Sequence, residues 1–507
     1  MSEPKNLRQL LEARVQDAPD KLFLFSEADD RRFTYAEFDR AVNRAAHLLL
    51  ARGIAKSDKV GLLMPNSAEY VISYFACFKL GAVAAPINSL LKPQELAYVI
   101  ANAEAKALLV HTEFLANIDA IRNQLPDVRH VIEFDDEAQA TAEFADANEL
   151  PSSTIESDEE AIIIYTSGTT GKPKGCLLTH GNLIANARQI TRWLKFTKRD
   201  RLLTVMPLFH MNAVSVTTLT PLYAGASTVV SPRFSASRFW QIISDYEVTS
   251  FGSVATMLSR LLSLYTEGAP DGLKIAQLRF AMCGSAPVPA EILKRFEETF
   301  NCLVIEGYGL SESTCRSTFN PPDERRRPGS CGMAIGNEMK IVDDEEREVP
   351  DGQLGEIVLR GENVLKGYYK NTEATAEAFR GGWFHTGDIG YRDADGFYYI
   401  VDRKSDMIIR GGENIYPREI DEVLYRHPAV AAAATIGVPD PVYGEEVIAF
   451  IVLKAEATEE EIIKFCRERL ADYKCPKSMR FVSDIPKGPT GKLLKREIAK
   501  QYVRTES

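Results

Sequence analysis

Tyr165-Thr166-Ser167-Gly168-Thr169-Thr170-Gly171-Lys172-Pro173-Lys174-Gly175 follows directly on the apolar run Ala161-Ile162-Ile163-Ile164. A buried strand therefore delivers a loop built almost wholly of glycines, hydroxyls and lysines. Glycine lets backbone N–H groups crowd round an anion, and lysine neutralises its charge. A plain surface turn needs no such combination, so the stretch predicts a loop that grips phosphate. It is not a Walker loop, which requires G-x-x-x-x-G-K followed by Ser or Thr and then a helix. Here Lys172 precedes Pro173, which lacks an N–H and disfavours helical backbone at the residue before it.

The residues before this loop alternate between strand and helix signals. Thr34 and Glu37 have capping-box spacing. Phe38, Val42, Ala45, Ala46 and Leu49 then form an apolar face that Gly53 ends. Lys59–Met64 reads as a strand, 68–80 as a helix stopped by Gly81, Val83–Asn88 as a second strand and Lys106–Val110 as a third. This is α/β layering with parallel sheets. The segment from Glu137 to Asp158 is polar and aperiodic and reads as a connection. From Leu177 to about Phe319 the alternation resumes, with helices near 181–194, 235–246 and 253–266. Gly329 to Tyr399 carries frequent turns such as Asp351-Gly352 and Asp395-Gly396 and reads as a small β-rich subdomain. After Arg403 the chain restarts as a compact α+β unit. Pro417 sits at the first position of a helix, strands lie near 431–437 and 447–453, and Thr458 and Glu461 form a second capping box before Ile462, Cys466 and Leu470. The expected division is a large domain over 1–402 and a small one over 403–507.

Bulk properties narrow the class. The 507 residues suffice for several core-bearing units, and 45% hydrophobic residues describe an ordinary globular chain. A net charge of −11 argues against non-specific binding to nucleic acid or anionic membrane. Eight scattered cysteines form no C-x-x-C pair, so reduced thiols in the cytoplasm are expected. No signal-peptide layout, no run of ~20 apolar residues and no peroxisomal ending at Thr505-Glu506-Ser507 is present.

Six further stretches carry chemistry. Gly284-Ser285-Ala286-Pro287 follows the apolar Phe280–Cys283, the end of a strand, where open α/β sheets bind ligands. Glu306-Gly307-Tyr308-Gly309-Leu310-Ser311-Glu312-Ser313 offers a flat aromatic, two glycines and an acid beside a hydroxyl. Those groups suit a nucleotide on one side and Mg²⁺ on the other. Asp388 ends a tight glycine turn after Trp383. Asp402-Arg403-Lys404-Ser405-Asp406 precedes the compact unit, and Arg410-Gly411-Gly412-Glu413-Asn414 follows. Lys492 closes the polar loop Pro486–Lys492.

In this order the stretches resemble the adenylate-forming superfamily: acyl-CoA synthetases, peptide-synthetase adenylation domains and firefly-type luciferases. The likeness runs from residue 33 to residue 496 and also touches the crotonobetaine/carnitine-CoA ligase and fatty-acid–CoA ligase groups, through Leu203–Pro207 and Asp406–Asn414. It implies an ATP-dependent carboxylic acid–CoA ligase using ATP, Mg²⁺ and CoA. In that pattern Thr166 to Lys174 hold the phosphates, and Thr166 with Glu312 attends the metal. Gly284, Ser285, Ala286, Glu306, Gly307, Tyr308, Gly309, Ser311, Asp388 and Arg403 hold the nucleotide, Asp388 through the ribose hydroxyls. Lys492, Glu312 and His210 serve catalysis, Ser405 is the hinge, and Gly411, Gly412 and Glu413 face CoA. The acyl pocket draws on Met211, Asn212, Val214, Phe251, Gly252, Val254, Met257, Cys283, Gly309, Ser313 and Arg316. Ser311 replaces a common Thr, Ser405 a common Asp or Lys, and Ala255 a common Pro. The implied substrate is a fatty or small organic acid, with a homodimer as an admitted assembly. Two other classes fit the same residues: an adenylation enzyme that loads a carrier protein, and a non-catalytic nucleotide-binding protein. Loss of Lys492 or Glu312 would mark the latter, and both are present.

Overall fold

Ser67 caps the helix Ala68–Leu80 by accepting from the Tyr70 N–H, and Gly81 ends it at φ +69°, a conformation open to glycine. Every residue of this helix is buried, so it is a core element rather than a surface one. It packs on helix Tyr35–Ala51, which starts at the Thr34–Glu37 capping box, through Phe38, Phe75 and Phe78. The computed structural model describes residues 3–133, 150–151, 153–166, 173–284, 290–487, 493–495 and 497–499.

Two seven-stranded sheets frame these helices. One runs in the order Leu303–Glu306, Phe280–Cys283, Ser250–Ser253, Arg201–Thr204, Ser227–Val230, Leu22–Ser26 and Arg32–Thr34. It is parallel except for its last pair. The other runs Gly367–Tyr368, Lys174–Thr179, Glu160–Thr166, Val83–Pro86, Lys59–Leu63, Ala105–Val110 and His130–Glu133. Its first three strands are antiparallel, so the sheet is mixed rather than parallel throughout. One large hydrophobic cluster spans both sheets and the helices between them.

Residues 338–403 form the expected β-rich part, a four-stranded antiparallel sheet of Glu338–Val342, Gly355–Arg360, Phe384–Arg392 and Tyr398–Arg403. The last hundred residues have a core of their own, including Ile408, Ile420, Leu424, Val447, Ile451 and Ile462. Pro417 opens helix Pro417–Tyr425, and the Thr458–Glu461 capping box opens Glu459–Arg467. The strands Val430–Asp440 and Gly444–Leu453 are longer than the apolar pattern predicts, because they continue to pair down to the turn at Gly444. Leu470 lies beyond its helix and packs against the core from outside. Arg418 ties this unit to the preceding sheet: its N–H donates to Asp402 Oδ2 (2.8 Å) and its guanidinium to the Ile400 carbonyl.

A further feature departs from the sequence reading. Asn212–Leu219 is π-helical for eight residues, a rare geometry that concentrates at functional sites. The eight cysteines are all free. Among the described residues no helix is long and apolar enough to cross a membrane. Most of the connection 137–158 lies outside the described residues.

Candidate active site

The strands Ser250–Ser253, Phe280–Cys283 and Leu303–Glu306 end side by side, with Ser253 opposite Cys283 and Cys283 opposite Glu306. Their carboxyl ends deliver Gly284 and the turn from Gly307 to Arg316 to one edge of the sheet. Tyr308 is pinned there by its own backbone: its N–H donates to Thr318 Oγ1 (3.1 Å), and its carbonyl accepts from Ser317 (2.8 Å) and Thr318 (3.0 Å).

On one side of this turn stands Asp388. The Tyr308 hydroxyl donates to its Oδ2 (2.6 Å) and Arg403 Nε to its Oδ1 (3.0 Å). Asp388 and Arg403 face each other across the antiparallel pair, so sheet register sets this contact. Burial and the neighbouring carboxylate push the Tyr308 phenol well up, and it stays a donor.

On the other side stands Glu312. Its Oε1 accepts from the Tyr368 hydroxyl (3.2 Å), and Lys174 Nζ lies 5.2 Å above the Tyr368 ring. Thr166 and Lys174, which flank the stretch read in sequence as a phosphate loop, are cross-strand partners, and Thr166 Oγ1 lies 3.7 Å from Cys176 Sγ. Burial first and the Glu312 charge second push the Cys176 thiol up, which places Glu312 at the same corner. Among the described residues no group of three or more His, Cys, Asp or Glu could hold a metal. A lone half-buried carboxylate fits an ion whose other ligands come with phosphate and water.

The third side faces the π-helical segment. His210 is part-buried, its enclosed Nε2 has no hydrogen-bond partner among the described residues, and burial lowers its pKa to about 4, so the ring is neutral near pH 7. Both amide atoms of the buried Asn212 are unpartnered as well. Arg316 is 1% exposed; Nη1 donates to the Gly307 carbonyl (3.2 Å), while Nε and Nη2 have no partner among the described residues. Its backbone is clamped by Asn186, whose Nδ2 donates to the Arg316 carbonyl (2.7 Å) and whose Oδ1 accepts from the Arg316 N–H (3.3 Å). Thr314, a β-branched residue at φ +66°, is held in that strained backbone by its hydroxyl on the Asn363 carbonyl (2.7 Å).

Several expected pocket residues behave otherwise. Phe251 packs on Phe239 (4.9 Å between rings), on the sheet face opposite Gly252, because neighbours along a strand point to opposite faces. Cys283, paired with Ser253, shares the Phe251 face. The Ser313 hydroxyl accepts from the Leu310 N–H (3.0 Å) and serves the turn. A Cβ on Gly309 would lie 1.9 Å from the Cys315 carbonyl oxygen, so glycine there permits a close backbone approach and borders no open space. Met211 and Val214 are buried in the core. Val254 and Met257 line a cleft of about 420 Å³ with Pro207, Phe209 and Phe234, beside His210. The Gly411–Asn414 turn is exposed, with Gly411 at φ +60° and Gly412 at +88°. Ser405 lies in the single turn Lys404–Asp406, where its hydroxyl donates to Asp406 Oδ1 (3.0 Å). Residues 167–172, Ser285, Ala286 and Lys492 lie outside the described residues. Sequence reasoning missed Tyr368, whose place beside Glu312 depends on the pairing of Gly367–Tyr368 with Cys176–Leu177.

Glu306 points its Oε2 to the Gly329 N–H (2.9 Å), and burial raises its pKa to about 7. A carboxyl that binds its proton more tightly when folded favours the fold at low pH. That contribution is lost as pH rises from the ordinary 4.5 through about 7. Glu306→Gln should therefore be more stable than the parent at pH 8, by on the order of 3 kcal/mol, and equal to it below pH 4.5. Urea midpoints at the two pH values measure this; a pH-independent difference contradicts it.

The fold and this corner define a nucleotide-dependent acid-activating enzyme, and comparison with known proteins agrees. The model of the AMP-binding enzyme family matches residues 11–369, and that of the AMP-binding enzyme C-terminal domain matches 419–492. The sulfoacetate–CoA ligase of Cupriavidus necator is 38% identical over 506 residues, 96% of each chain. The long-chain-fatty-acid–CoA ligase FadD13 of Mycobacterium tuberculosis is 36% identical over 508 residues, 99% of each chain. The ATP-bound MatB structure from Rhodopseudomonas palustris has a TM-score of 0.92 and 31% identity over 99% of each chain. The chain belongs to the AMP-binding enzyme family, as an AMP-forming acid–CoA ligase. ATP and CoA are its co-substrates, and it works by adenylate formation followed by thioester formation.

Proposed function

We propose that the corner between Thr166, Glu312 and Asp388 is where this chain converts an organic acid to its adenylate, and that the acyl group leaves for CoA from the same place. One observation carries the reading. Four stretches far apart in sequence, at 166–176, 308–312, 368 and 388–403, meet through hydrogen bonds and ring contacts along one turn. Asp388 takes the ribose hydroxyls, for which its two oxygens suffice. The loop 166–174 holds the phosphates, and Glu312 attends the Mg²⁺ that accompanies ATP. The acid's carboxylate oxygen attacks the α-phosphorus and the bond to pyrophosphate breaks. Two anions meet in that step, and the Lys492 ammonium offsets their repulsion. The CoA sulfur then attacks the acyl carbonyl, and AMP leaves with the bonding electron pair. The thiol reaches the carbonyl past the neutral His210 imidazole, from the cleft beside Phe209.

Residues 1–402 form the body and 403–507 the moving part, with the pivot at Ser405. The separate cores and the exposed Gly411–Glu413 turn, which must swing inward to meet CoA, support this division. The acid is a fatty or small organic acid, and free thiols throughout suit a cytoplasmic enzyme. A homodimer is tested by the mass in solution. The activity is tested by acid-dependent pyrophosphate release over fatty, aryl, dicarboxylic and betaine acids, with and without CoA. Release by at least one acid, with CoA consumed alongside, is expected; no release with any acid contradicts the reading.

A further inference from the structure

Arg316 is among the largest fully buried side chains of the protein, and no carboxylate among the described residues lies within ion-pair distance of it. A guanidinium is always charged, and burying it without a partner is expensive. Its surroundings satisfy only part of it. Nη1 reaches the Gly307 carbonyl, and the Phe319 ring lies 5.3 Å from Cζ. Nε and Nη2 are left open. These two nitrogens form one edge of the planar fork, the edge that holds a carboxylate or sulfonate through two parallel hydrogen bonds.

Glycines let both polar side chains lie close against the sheet. Gly252 pairs with Met282, and Gly284 lies two residues beyond Met282, so all three address the same face of the sheet. A Cβ on Gly252 would lie 2.8 Å from Asn212 Oδ1, and a Cβ on Gly284 would lie 2.2 Å from Arg316 Nη1. Asn212 and Arg316 therefore lie against glycines on one face whose backbones are roughly 8 Å apart by strand spacing and rise. Neither side chain is free to relax elsewhere. Asn186 grips the Arg316 backbone, and its Oδ1 also accepts from Ser215 in the π-helical segment that carries Asn212 (3.0 Å). Two buried polar groups lie against one face of the sheet, and no described residue meets their remaining hydrogen-bonding atoms, which an anion seated between them would satisfy.

We infer that the acid this enzyme activates is short and carries a second anionic group, a carboxylate or sulfonate, which the Nε/Nη2 edge of Arg316 holds while Asn212 donates to it. This rests on the ligase reading above. Lys492 serves the reacting carboxylate in that reading, which leaves the Arg316 fork for the far end of the acid. Arg316 lies against Gly284 and Gly307, beside the nucleotide, so only a few bonds separate the two ends.

The test is pyrophosphate release over matched acids at saturating MgATP: malonate against acetate, succinate against butyrate, sulfoacetate against propionate, with decanoate as the fatty arm. The doubly anionic member of at least one pair should exceed its neutral-tailed partner by at least about 10³-fold in kcat/KM, because a site built for a polar group rejects the analogue lacking it. The malonate and sulfoacetate arms tell a carboxylate from a sulfonate. In Arg316→Met, of similar length, the ratio within the preferred pair should fall at least about 10²-fold, and Arg316→Lys should restore part of it. Neutral-tailed or fatty acids used as well as the doubly anionic ones overturn the inference and leave the ligase reading standing. An unchanged ratio in Arg316→Met does the same. Failure of every acid, including fatty and aryl ones, overturns the ligase reading and this inference with it. Where Arg316→Met does not fold, the parent enzyme's panel decides alone.

Discussion

Lys492→Ala should lose adenylate formation and keep thioester formation. Lys492 lies in the C-terminal unit, far along the chain from the pivot proposed at Ser405. A bridge joins Lys487 and Leu493, the described residues that flank it, within that unit. In the proposed adenylating pose the ammonium would meet the carboxylate and the α-phosphate. In the proposed thioester-forming pose the Gly411–Gly412 turn would take that place, and Lys492 would leave. Its charge therefore helps the first transition state and is absent from the second. Removing one preorganised electrostatic contact costs about 10²–10³ in rate. Adenylate formation from ATP and acid should fall by that factor. Thioester formation from pre-made acyl-adenylate and CoA should stay within roughly tenfold, about 1.4 kcal/mol. Both half-reactions are measured on one preparation. An equal loss in both means that a single fixed site does all the chemistry, and the moving-unit account fails.

Glu312→Gln should weaken the metal-dependent step far more than AMP binding. The change keeps the shape and the acceptor for the Tyr368 hydroxyl, so the contact to the strand Gly367–Tyr368 survives. It removes the negative charge that suits a hard cation. In the proposed site AMP, without the triphosphate, would make little use of that charge and would be held through the linked Tyr308, Asp388 and Arg403 instead. The expected result is a fall of about 10²-fold in adenylate formation. A raised Mg²⁺ requirement should accompany it, with the AMP dissociation constant nearly unchanged. Rate titrations against Mg²⁺ and calorimetric AMP binding read the two effects separately. An unchanged Mg²⁺ requirement reduces Glu312 to a residue of the turn.

The frame of the protein was legible because local chemistry specifies it. The Thr34–Glu37 and Thr458–Glu461 boxes, Gly81 after an apolar helix and Pro417 at a helix start each act within a few residues, and each helix begins or ends where they stand. The stretches proposed for the nucleotide were assigned for a related reason: glycines, hydroxyls and charges at short spacing carry their chemistry with them. What escaped depends on register between distant strands. Tyr368 reaches Glu312 only because Gly367–Tyr368 adds to the edge of the strand Lys174–Thr179. Phe251 and Gly252 are adjacent in sequence and look alike as pocket candidates, yet the pleat sends them to opposite faces. The open edge of Arg316 depends on Asn186 and Phe319 arriving from separate elements. The π-helical turn Asn212–Leu219 has no local signal, since Thr217, Thr218 and Thr220 bond back to carbonyls only once the segment is buried.

The central claim is that one site first transfers AMP to an acid and then gives the acyl group to CoA. The most direct measurement follows the products of ATP, a turned-over acid and CoA with Mg²⁺ present. AMP, pyrophosphate and acyl-CoA in equal amounts are expected, with acyl-adenylate accumulating on the enzyme when CoA is left out. ADP and phosphate as the nucleotide products, or no adenylate without CoA, would contradict it.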